Sequence, residues 1–387
     1  MANSGFSYAG AQSYAGAASY AGAASYAGAA SYSGGFSKEG YDGQPYNPLL
    51  VQGLGACREE LLAGLSAAER SALDDLSLRL GAMPAFDPAD ALMRANGMEV
   101  RAALLHFELL TQLRFASSSV DGNAGERWAE LHAASGANGA MVPLLRVSRP
   151  SQDVLLAQLQ RVQALAPLRD SRTAEVLTQV APPLAYFASV LNLQSGRHAK
   201  TTELLKVALQ FSYAVCMRFK QALAVPRPSA YTAQIQPMIE VPMHPSYPAG
   251  HALEAHVSAT VLGALAEAPG RPADNAVQKQ LLRRLATRIS ENRVVAGVHY
   301  PVDCVVGRLM GDALASYLLA ACEPARAWRG ARYAGHLLDP ATDGLRDFSA
   351  TGHAFEDGLP GEAPAMYPAP ELPLLQKLWS LARAEWA

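Results

Sequence analysis

Charged residues are scarce in this sequence, and several patterns that mark particular protein classes are missing. Charged residues make up 17% of the 387 residues, hydrophobic residues make up 50%, and the formal net charge is -2 at pH 7. Without a basic excess or a run of basic residues, the chain lacks the electrostatic signature of nucleic-acid or anionic-membrane binding. Because so apolar a chain must bury much of its surface in itself or between subunits, we predict a homo-oligomer.

Other absences concern the compartment. The four cysteines show no CxxC spacing, so we expect free buried thiols rather than disulfides or a zinc site. The N-terminus has no charged stretch followed by an apolar core, as a signal peptide would have. No run of about 18 consecutive apolar residues predicts a membrane span. We therefore predict a soluble cytoplasmic protein.

A short repeat is the first positive feature of the chain. Residues 7–36 repeat a hexapeptide: SYAGAQ, then SYAGAA three times, then SYSGGF. Alanine, glycine and serine bury too little surface to offset chain entropy, so we predict that residues 1–47 form a disordered low-complexity arm. A hexapeptide solenoid is the alternative, although its interior normally needs aliphatic residues.

The remaining residues, 48–387, are predicted to form one all-helical domain. Apolar residues at helical spacing predict helices near 58–82, 88–114, 151–166, 170–193, 198–224, 249–267, 275–296, 301–321 and 371–385. Residues 204–219 are apolar nearly all round, which indicates a central helix. Alternating strand patterns are scarce, and residues 323–368 read as an irregular covering segment. These features predict an all-α bundle.

The first of three polar clusters follows that central helix. Lys220 lies near its end, and Arg227 stands between Pro226 and Pro228. A residue before proline is held away from helical geometry, so Arg227 should lie in a stiff extended segment. The pair offers a point charge and a planar fork, which suit different oxygens of one anion. Taken alone, it also fits a lysine at a helix end and a surface arginine.

The second cluster, HPSYPAGHALEAH, occupies residues 244–256. Pro248 is suited to the start of a helix, where its missing N–H costs nothing. The free N–H groups of Gly250 and His251 would then form an anion site at the helix N-terminus. Glycine lets an oxyanion approach the backbone, and the imidazole can exchange a proton with it. The alternative is a plain turn with a half-buried histidine.

The third cluster, NRVVAGVHYPVD, carries another arginine and a histidine–aspartate pair. Arg293 should end one helix, Gly297 break it and Pro301 start the next. His299 and Asp303 are four residues apart and can share a helix face. A carboxylate on one ring nitrogen leaves the other free as a nucleophile or a metal ligand. The alternative is a capped loop with an ordinary hydrogen bond.

The three clusters, in this order, resemble the superfamily that joins type 2 phosphatidic acid phosphatases and vanadium-dependent haloperoxidases. Lys220–Pro228 matches its K-x6-R-P element, residues 245–251 its P-S-G-H element, and Arg293–Asp303 its R-x5-H-x3-D element. The resemblance lies in a motif core at residues 198–321 and implies the all-helical haloperoxidase/acid phosphatase fold. Ala249 departs from it by replacing a serine whose hydroxyl bonds an oxyanion oxygen. The absent bond is worth on the order of 1.5–3 kcal/mol.

For the soluble, bacterial-type haloperoxidase branch, the resemblance implies a vanadate cofactor. His299 would be the single protein ligand to vanadium, while Lys220, Arg227, Gly250 and Arg293 would hold the vanadate oxygens. Phosphate would compete for the same site. Hydrogen peroxide would bind to vanadium, which acts as a Lewis acid. We expect this branch because the sequence predicts a soluble protein.

Four further assignments follow from the same resemblance. His251 would handle protons on the apical oxygen, Asp303 would orient the vanadium ligand, and Lys220 would polarise the bound peroxide so that a halide attacks it. The product is hypohalous acid, which can halogenate a small organic acceptor. His244 resembles a residue of the algal bromoperoxidases and favours bromide or iodide over chloride.

Two alternatives remain open. In a phosphatase of the same superfamily, His299, oriented by Asp303, attacks phosphorus and His251 protonates the leaving alkoxide. The cations then stabilise the charge on the transferred group. The third possibility is a non-catalytic scaffold with an eroded site, suggested by Ala249 and the repetitive arm.

Overall fold

A computed structural model describes most of the chain beyond the N-terminal arm. It covers residues 62–80, 88–118, 127–181, 183–194, 196–267, 272–343 and 365–386, together with Ala56 and Glu60. The predicted disordered arm and its repeat lie outside these residues. The chain divides into two compact units after Arg101. All the candidate site residues belong to the second unit.

The first unit contains α1 (Ala67–Leu80), α2 (Pro88–Ala95) and the start of α3 (Met98–Leu110). A capping box opens α1: the Ser66 N–H donates to the Glu69 carboxylate at 2.8 Å, and the Glu69 N–H donates to the Ser66 hydroxyl at 3.3 Å. The single helix predicted over 88–114 is interrupted at Asn96–Gly97. Glycine is a poor helix former and accounts for the break.

The helices of the second unit follow the predicted segments closely. They are α4 (Gln152–Ala164), α5 (Arg169–Thr178), α6 (Leu184–Leu191), α7 (Ala199–Leu223), α8 (Gly250–Leu265), α9 (Pro272–Val295), α10 (Pro301–Cys322) and α11 (Pro373–Ala384). The helix predicted over 170–193 is divided into α5 and α6 before Pro183, which has no N–H to donate. Ala224 ends α7 in a left-handed conformation with φ of 48°.

The prediction of an all-α fold is wrong, because the second unit also contains a sheet. Strands β1 (Leu113–Ser117), β2 (Trp128–Ser135), β3 (Ala140–Ser148) and β5 (Ala331–Ala334) lie in the order β1-β2-β3-β5. The β1–β2 and β2–β3 pairs are antiparallel and β3–β5 is parallel. A second sheet pairs β4 (Ala327–Arg329) with β6 (Met366–Pro368). The described part of the predicted irregular segment, 323–368, therefore contributes to both sheets.

Helix α8 lies in the core and packs against α7, α9 and α10. Two glycines of α10 let it approach α8 backbone to backbone. A Cβ added at Gly307 would lie 2.5 Å from the Ala249 carbonyl oxygen, and one at Gly311 would lie 2.6 Å from that of Leu253. Since real atoms do not approach so closely, glycine is required at both positions. This contact holds the start of α8 against the start of α10.

One helix among the described residues, α10, is long and apolar enough to cross a membrane. Most of its apolar segment is buried inside the protein, as in the core helix of a globular protein. The predicted cytoplasmic location therefore stays a prediction. Cys216, Cys304 and Cys322 are free and buried, which confirms the expectation for these three thiols.

Candidate active site

The structure brings residues from all three sequence clusters together. The Nζ atom of Lys220, near the end of α7, lies 2.7 Å from the carbonyl oxygen of Ser246. A guanidinium nitrogen of Arg227 lies 3.0 Å from Nε2 of His299. The N–H of Ala249, which precedes α8, donates to the carbonyl of Asp303 in α10 at 2.8 Å. The shared location is the start of α8, where the extended segment after α7 and the α9–α10 connection meet.

Lys220 is buried and held by backbone carbonyls. Its Nζ atom donates to the carbonyls of Pro245 at 2.9 Å and Ser246 at 2.7 Å. Only 1% of the residue is exposed, and burial lowers the pKa of its ammonium group to about 8. A lysine that merely neutralises a helix C-terminus stays in solvent. Lys220 instead places its charge against the backbone of Pro245 and Ser246, in the segment that precedes α8.

Arg227 has the extended conformation that its flanking prolines predict, with φ of -71° and ψ of 155°. Its Nε atom donates to the carbonyl of His244 at 3.2 Å. The His244 Nδ1 atom lies 3.1 Å from Nη2 of Arg227 and 3.1 Å from the carbonyl oxygen of Pro245. The Nη1 atom of Arg227 donates to the carbonyl of Val298 at 2.7 Å and to Nε2 of His299. His244 therefore helps to orient the guanidinium that contacts Nε2 of His299.

His299 and Asp303 form the pair predicted from their spacing. The Nδ1 atom of His299 lies 2.8 Å from Oδ2 of Asp303, and both side chains are buried. Because a guanidinium can only donate, Arg227 requires a lone pair on Nε2 and therefore a proton on Nδ1. Burial and then the charge of Arg227 hold the pKa of His299 well below its usual value. The ring is thus neutral, with its basic nitrogen facing the cation.

Ser246 is a site residue that the sequence analysis missed. Its hydroxyl donates to Oδ2 of Asp303 and lies 3.3 Å from Nδ1 of His299. Oδ2 also accepts the N–H of Tyr300 at 3.1 Å. Burial raises the pKa of Asp303 to about 6, while the hydrogen bond from Ser246 opposes this shift. No feature of the sequence motif distinguishes this serine, because the partners of its hydroxyl are more than fifty residues away.

The start of α8 has the form predicted for an anion site. Gly250 is the first residue of the helix, and intrahelical bonding begins with the Leu253 N–H, which donates to the Ala249 carbonyl at 3.1 Å. The Gly250 and His251 N–H groups precede that bond. Ala249 is the N-cap residue and makes no side-chain cap. The position where the superfamily has a serine hydroxyl therefore offers neither a helix cap nor an anion ligand.

His251 lies in the first turn of α8, next to the end of α5. Its Nε2–H donates to the carbonyl of Val180 at 3.1 Å, since a carbonyl can only accept. Burial, followed by the charge of Arg293, lowers the pKa of His251 to about 3. One turn further along, burial raises the pKa of Glu254 to about 7, while the Lys220 charge opposes that shift. These surroundings keep the imidazole neutral.

Arg293 is a fully buried cation with incomplete hydrogen bonding. Its Nη2 atom donates to the Val176 carbonyl at 3.2 Å and lies 3.5 Å from Oε1 of Gln179. Among the described residues, its Nε and Nη1 atoms have no acceptor. Burial lowers its pKa to about 10. An anionic ligand would supply the charge and the acceptors that this side chain lacks.

A polar network behind Arg293 is the second feature that the sequence analysis missed. The Asn292 amide donates to Oε1 of Gln179 and to the Glu175 carboxylate, both at 2.9 Å, and its oxygen accepts from Arg172 at 2.8 Å. Asn292, which replaces the serine often found in the superfamily, thus ties α9 to α5. The network positions the glutamine that contacts Arg293.

Lys220 predicts a specific dependence of anion binding on pH. We expect the affinity for inorganic phosphate to fall as the pH rises through about 8, since only the protonated ammonium attracts the anion. The affinity should fall about tenfold per pH unit once Lys220 has lost its proton in the free protein, until its pKa in the complex is reached. Titration calorimetry between pH 7 and pH 10 measures this slope. Lys220→Met should remove it, and an equal slope in both proteins would contradict the assignment.

Comparison with known proteins supports the superfamily but not the branch. The PAP2 superfamily profile matches residues 204–326, a stretch that includes all three clusters. Among solved structures, the chain is similar to a transmembrane PAP2-type phosphatidylglycerolphosphate phosphatase from Bacillus subtilis. Identity is 17%, coverage is 42% of this chain and 83% of the other, and the TM-score is 0.35. No curated protein matches significantly. The predicted haloperoxidase branch is not confirmed.

Proposed function

We propose that this protein hydrolyses phosphate monoesters through a phosphohistidine at His299. The observation that carries the proposal is the state of that imidazole. Asp303 holds the proton on Nδ1 at 2.8 Å, and Arg227 donates to Nε2 at 3.0 Å. A neutral ring with a lone pair on Nε2, directed at a cation, is prepared to attack an electrophile that the cation attracts.

The first chemical step transfers the phosphoryl group to His299. Its Nε2 atom attacks phosphorus, an N–P bond forms, and the ester P–O bond breaks. The phosphoryl oxygens replace Nε2 as the acceptor for Arg227 and approach Lys220, the Arg293 guanidinium and the Gly250 N–H. These donors stabilise the negative charge of the transition state. Water then attacks phosphorus and breaks the N–P bond, which releases phosphate and restores the imidazole.

His251 is the proposed proton donor to the leaving oxygen. Burial and the charge of Arg293 lower the pKa of this imidazole to about 3. A bound phosphate dianion offsets this cationic charge and raises the pKa of the imidazole, so the ring gains its proton as the substrate binds. The same group then accepts a proton from the water that attacks the intermediate.

Two points favour the phosphatase over the haloperoxidase. The matching domain takes its name from phosphatases. In addition, Ala249 cannot bond an oxyanion oxygen, which weakens anion binding by about 10- to 100-fold. Weaker retention is more harmful to a cofactor that must stay bound than to a substrate whose product must leave.

The same donors also fit vanadate, because Lys220, Arg227 and Arg293 recognise charge and oxygen atoms rather than the central atom. When bound, vanadate would supply the activation of peroxide for halide oxidation, with His299 as its ligand. His244 is then the residue expected to face the halide, although its Nδ1 atom contacts Arg227 in this structure. The homo-oligomer and the cytoplasmic location remain predictions.

One experiment separates the candidate functions. The purified full-length chain is incubated with a phenyl phosphate and, separately, with orthovanadate, hydrogen peroxide and bromide in the presence of a dye. We expect steady release of phosphate, inhibition by orthovanadate, and an acid-labile phosphoenzyme that forms on His299. Bromination without hydrolysis would support the haloperoxidase instead. The absence of both activities would support a scaffold.

A further inference from the structure

Ser246 belongs to the second sequence cluster and contacts groups of the first and the third. Its N–H donates to the carbonyl of Val225 at 2.8 Å, just before Arg227, and its carbonyl accepts from the Lys220 ammonium at 2.7 Å. Its hydroxyl donates to Asp303. The residue is fully buried. A single residue therefore joins the end of α7, the segment before α8, and the start of α10.

The hydroxyl makes the contact that matters for chemistry. A serine hydroxyl has one proton, and Oδ2 of Asp303 accepts it. The Nδ1 atom of His299 then has two acceptors in reach: Oδ2 of Asp303 at 2.8 Å and the Ser246 hydroxyl oxygen at 3.3 Å. Both acceptors favour a proton on Nδ1. Oδ1 of Asp303 has no partner among the described residues, so its carboxylate is held through Oδ2.

We propose that Ser246 is a positioning residue, whose hydroxyl holds the Asp303 carboxylate in line with His299 and so keeps the lone pair of the imidazole on Nε2. Without this bond, the carboxylate can rotate about its Cβ–Cγ bond, because among the described residues only the Tyr300 N–H and the imidazole would still donate to it. When a bound phosphate takes over the Arg227 donors, the carboxylate alone fixes the tautomer, and a rotated carboxylate then lets the ring adopt the form in which Nε2 carries the proton and cannot attack. The inference rests on the proposed function only where turnover is measured.

The variant Ser246→Ala tests this role, because alanine keeps both backbone hydrogen bonds. For a phenyl phosphate we expect kcat to fall by about 10- to 100-fold, since part of the population holds the wrong tautomer. KM should stay within about threefold, because the cations and N–H groups that bind phosphate are unchanged. Ser246→Thr, which restores the hydroxyl, should recover most of the lost kcat. A fall confined to KM, or no change, would overturn the inference.

A matched control removes a different buried hydroxyl. Ser212 is fully buried in α7, and its hydroxyl donates only to the Ala208 carbonyl of its own helix at 2.7 Å. Ser212→Ala should leave kcat unchanged. If Ser246→Ala fails to fold, Ser246→Cys replaces the hydroxyl with a weaker donor of similar size and gives the same comparison. Thermal unfolding confirms that each variant is folded.

A spectroscopic measurement decides the point without any turnover. In protein labelled with ¹⁵N-histidine, the resonances of His299, assigned by their loss in His299→Ala, should show a proton on Nδ1 and none on Nε2. With inorganic phosphate bound, so that Arg227 no longer donates to Nε2, the wild type should keep this tautomer and the Ser246→Ala spectrum should show a mixture of the two. An unchanged tautomer would overturn the inference even if the protein is a phosphatase. A wild-type protein that hydrolyses no phosphate ester would refute the proposed function, while this spectrum would still test Ser246.

Discussion

We expect His299→Ala to abolish turnover and to lower kcat for a phenyl phosphate by at least about 1,000-fold. The imidazole is the proposed nucleophile, and its Nε2 atom has no substitute among the groups that contact it. Arg227 can only donate, and Asp303 lies on the opposite ring nitrogen. The measurement is phosphate release under saturating substrate, together with the loss of the acid-labile phosphoenzyme.

A histidine outside the site provides the control. His132 lies in β2 beside Glu130, at 3.4 Å between Nε2 and the carboxylate. His132→Ala should keep the wild-type kcat. Anion binding should survive in His299→Ala, since the cations and the Gly250 N–H remain. Residual turnover within about tenfold of the wild type would exclude His299 as the nucleophile, and loss of phosphate binding would show that the variant has disturbed the whole site.

Arg293→Met should affect stability and binding in opposite directions. Arg293 is fully buried and two of its nitrogens have no acceptor among the described residues, so the anion-free protein carries an incompletely compensated charge. Methionine fills similar space without that charge, and the free energy of unfolding should rise by about 1–3 kcal/mol. Phosphate affinity should fall by about 100-fold or more, because charge-assisted hydrogen bonds are lost. Denaturant unfolding and calorimetry measure the two effects.

Arg169 provides the control for Arg293→Met, because its guanidinium has backbone acceptors. Its guanidinium donates to the carbonyls of Val295 at 3.0 Å, Gln236 at 2.9 Å and Ile235 at 2.8 Å. Arg169→Met leaves these carbonyls without their donor and should destabilise the protein. If both arginine variants destabilise it equally, then Arg293 is a structural cation rather than one reserved for an anion.

The sequence predicted the helices much better than the strands. Helices α7, α8 and α10 have long apolar patterns, and their ends lie within a few residues of the predicted ones. Strand β2, with the sequence WAELHAAS, contains alanine and glutamate, which are poor strand formers. Its pairing with β1 and β3 supplies the hydrogen bonds that its composition does not suggest. Tertiary pairing therefore overrides local preference in this sheet.

The cationic and imidazole groups could be chosen as candidate site residues because their chemistry is rare and their spacing is characteristic. Ser246 and Gln179 could not, since serine and glutamine occur everywhere in proteins and their roles depend on partners far along the chain. Gln179 contacts Asn292 and Arg293 only because α5 ends beside α9. Such supporting residues can be identified only once the helices are placed.

The backbone contact between α10 and α8 bears on how this protein could diverge. Because the spacing of the two helix starts is set by main-chain atoms next to Gly307, changes in the apolar side chains around them need not alter the width of the site. Residues at the surface, such as the exposed Met243 beside His244, can then change which molecules enter. Substrate selectivity can then change during evolution while the distance between the N–H groups of α8 and the His299 imidazole remains constant.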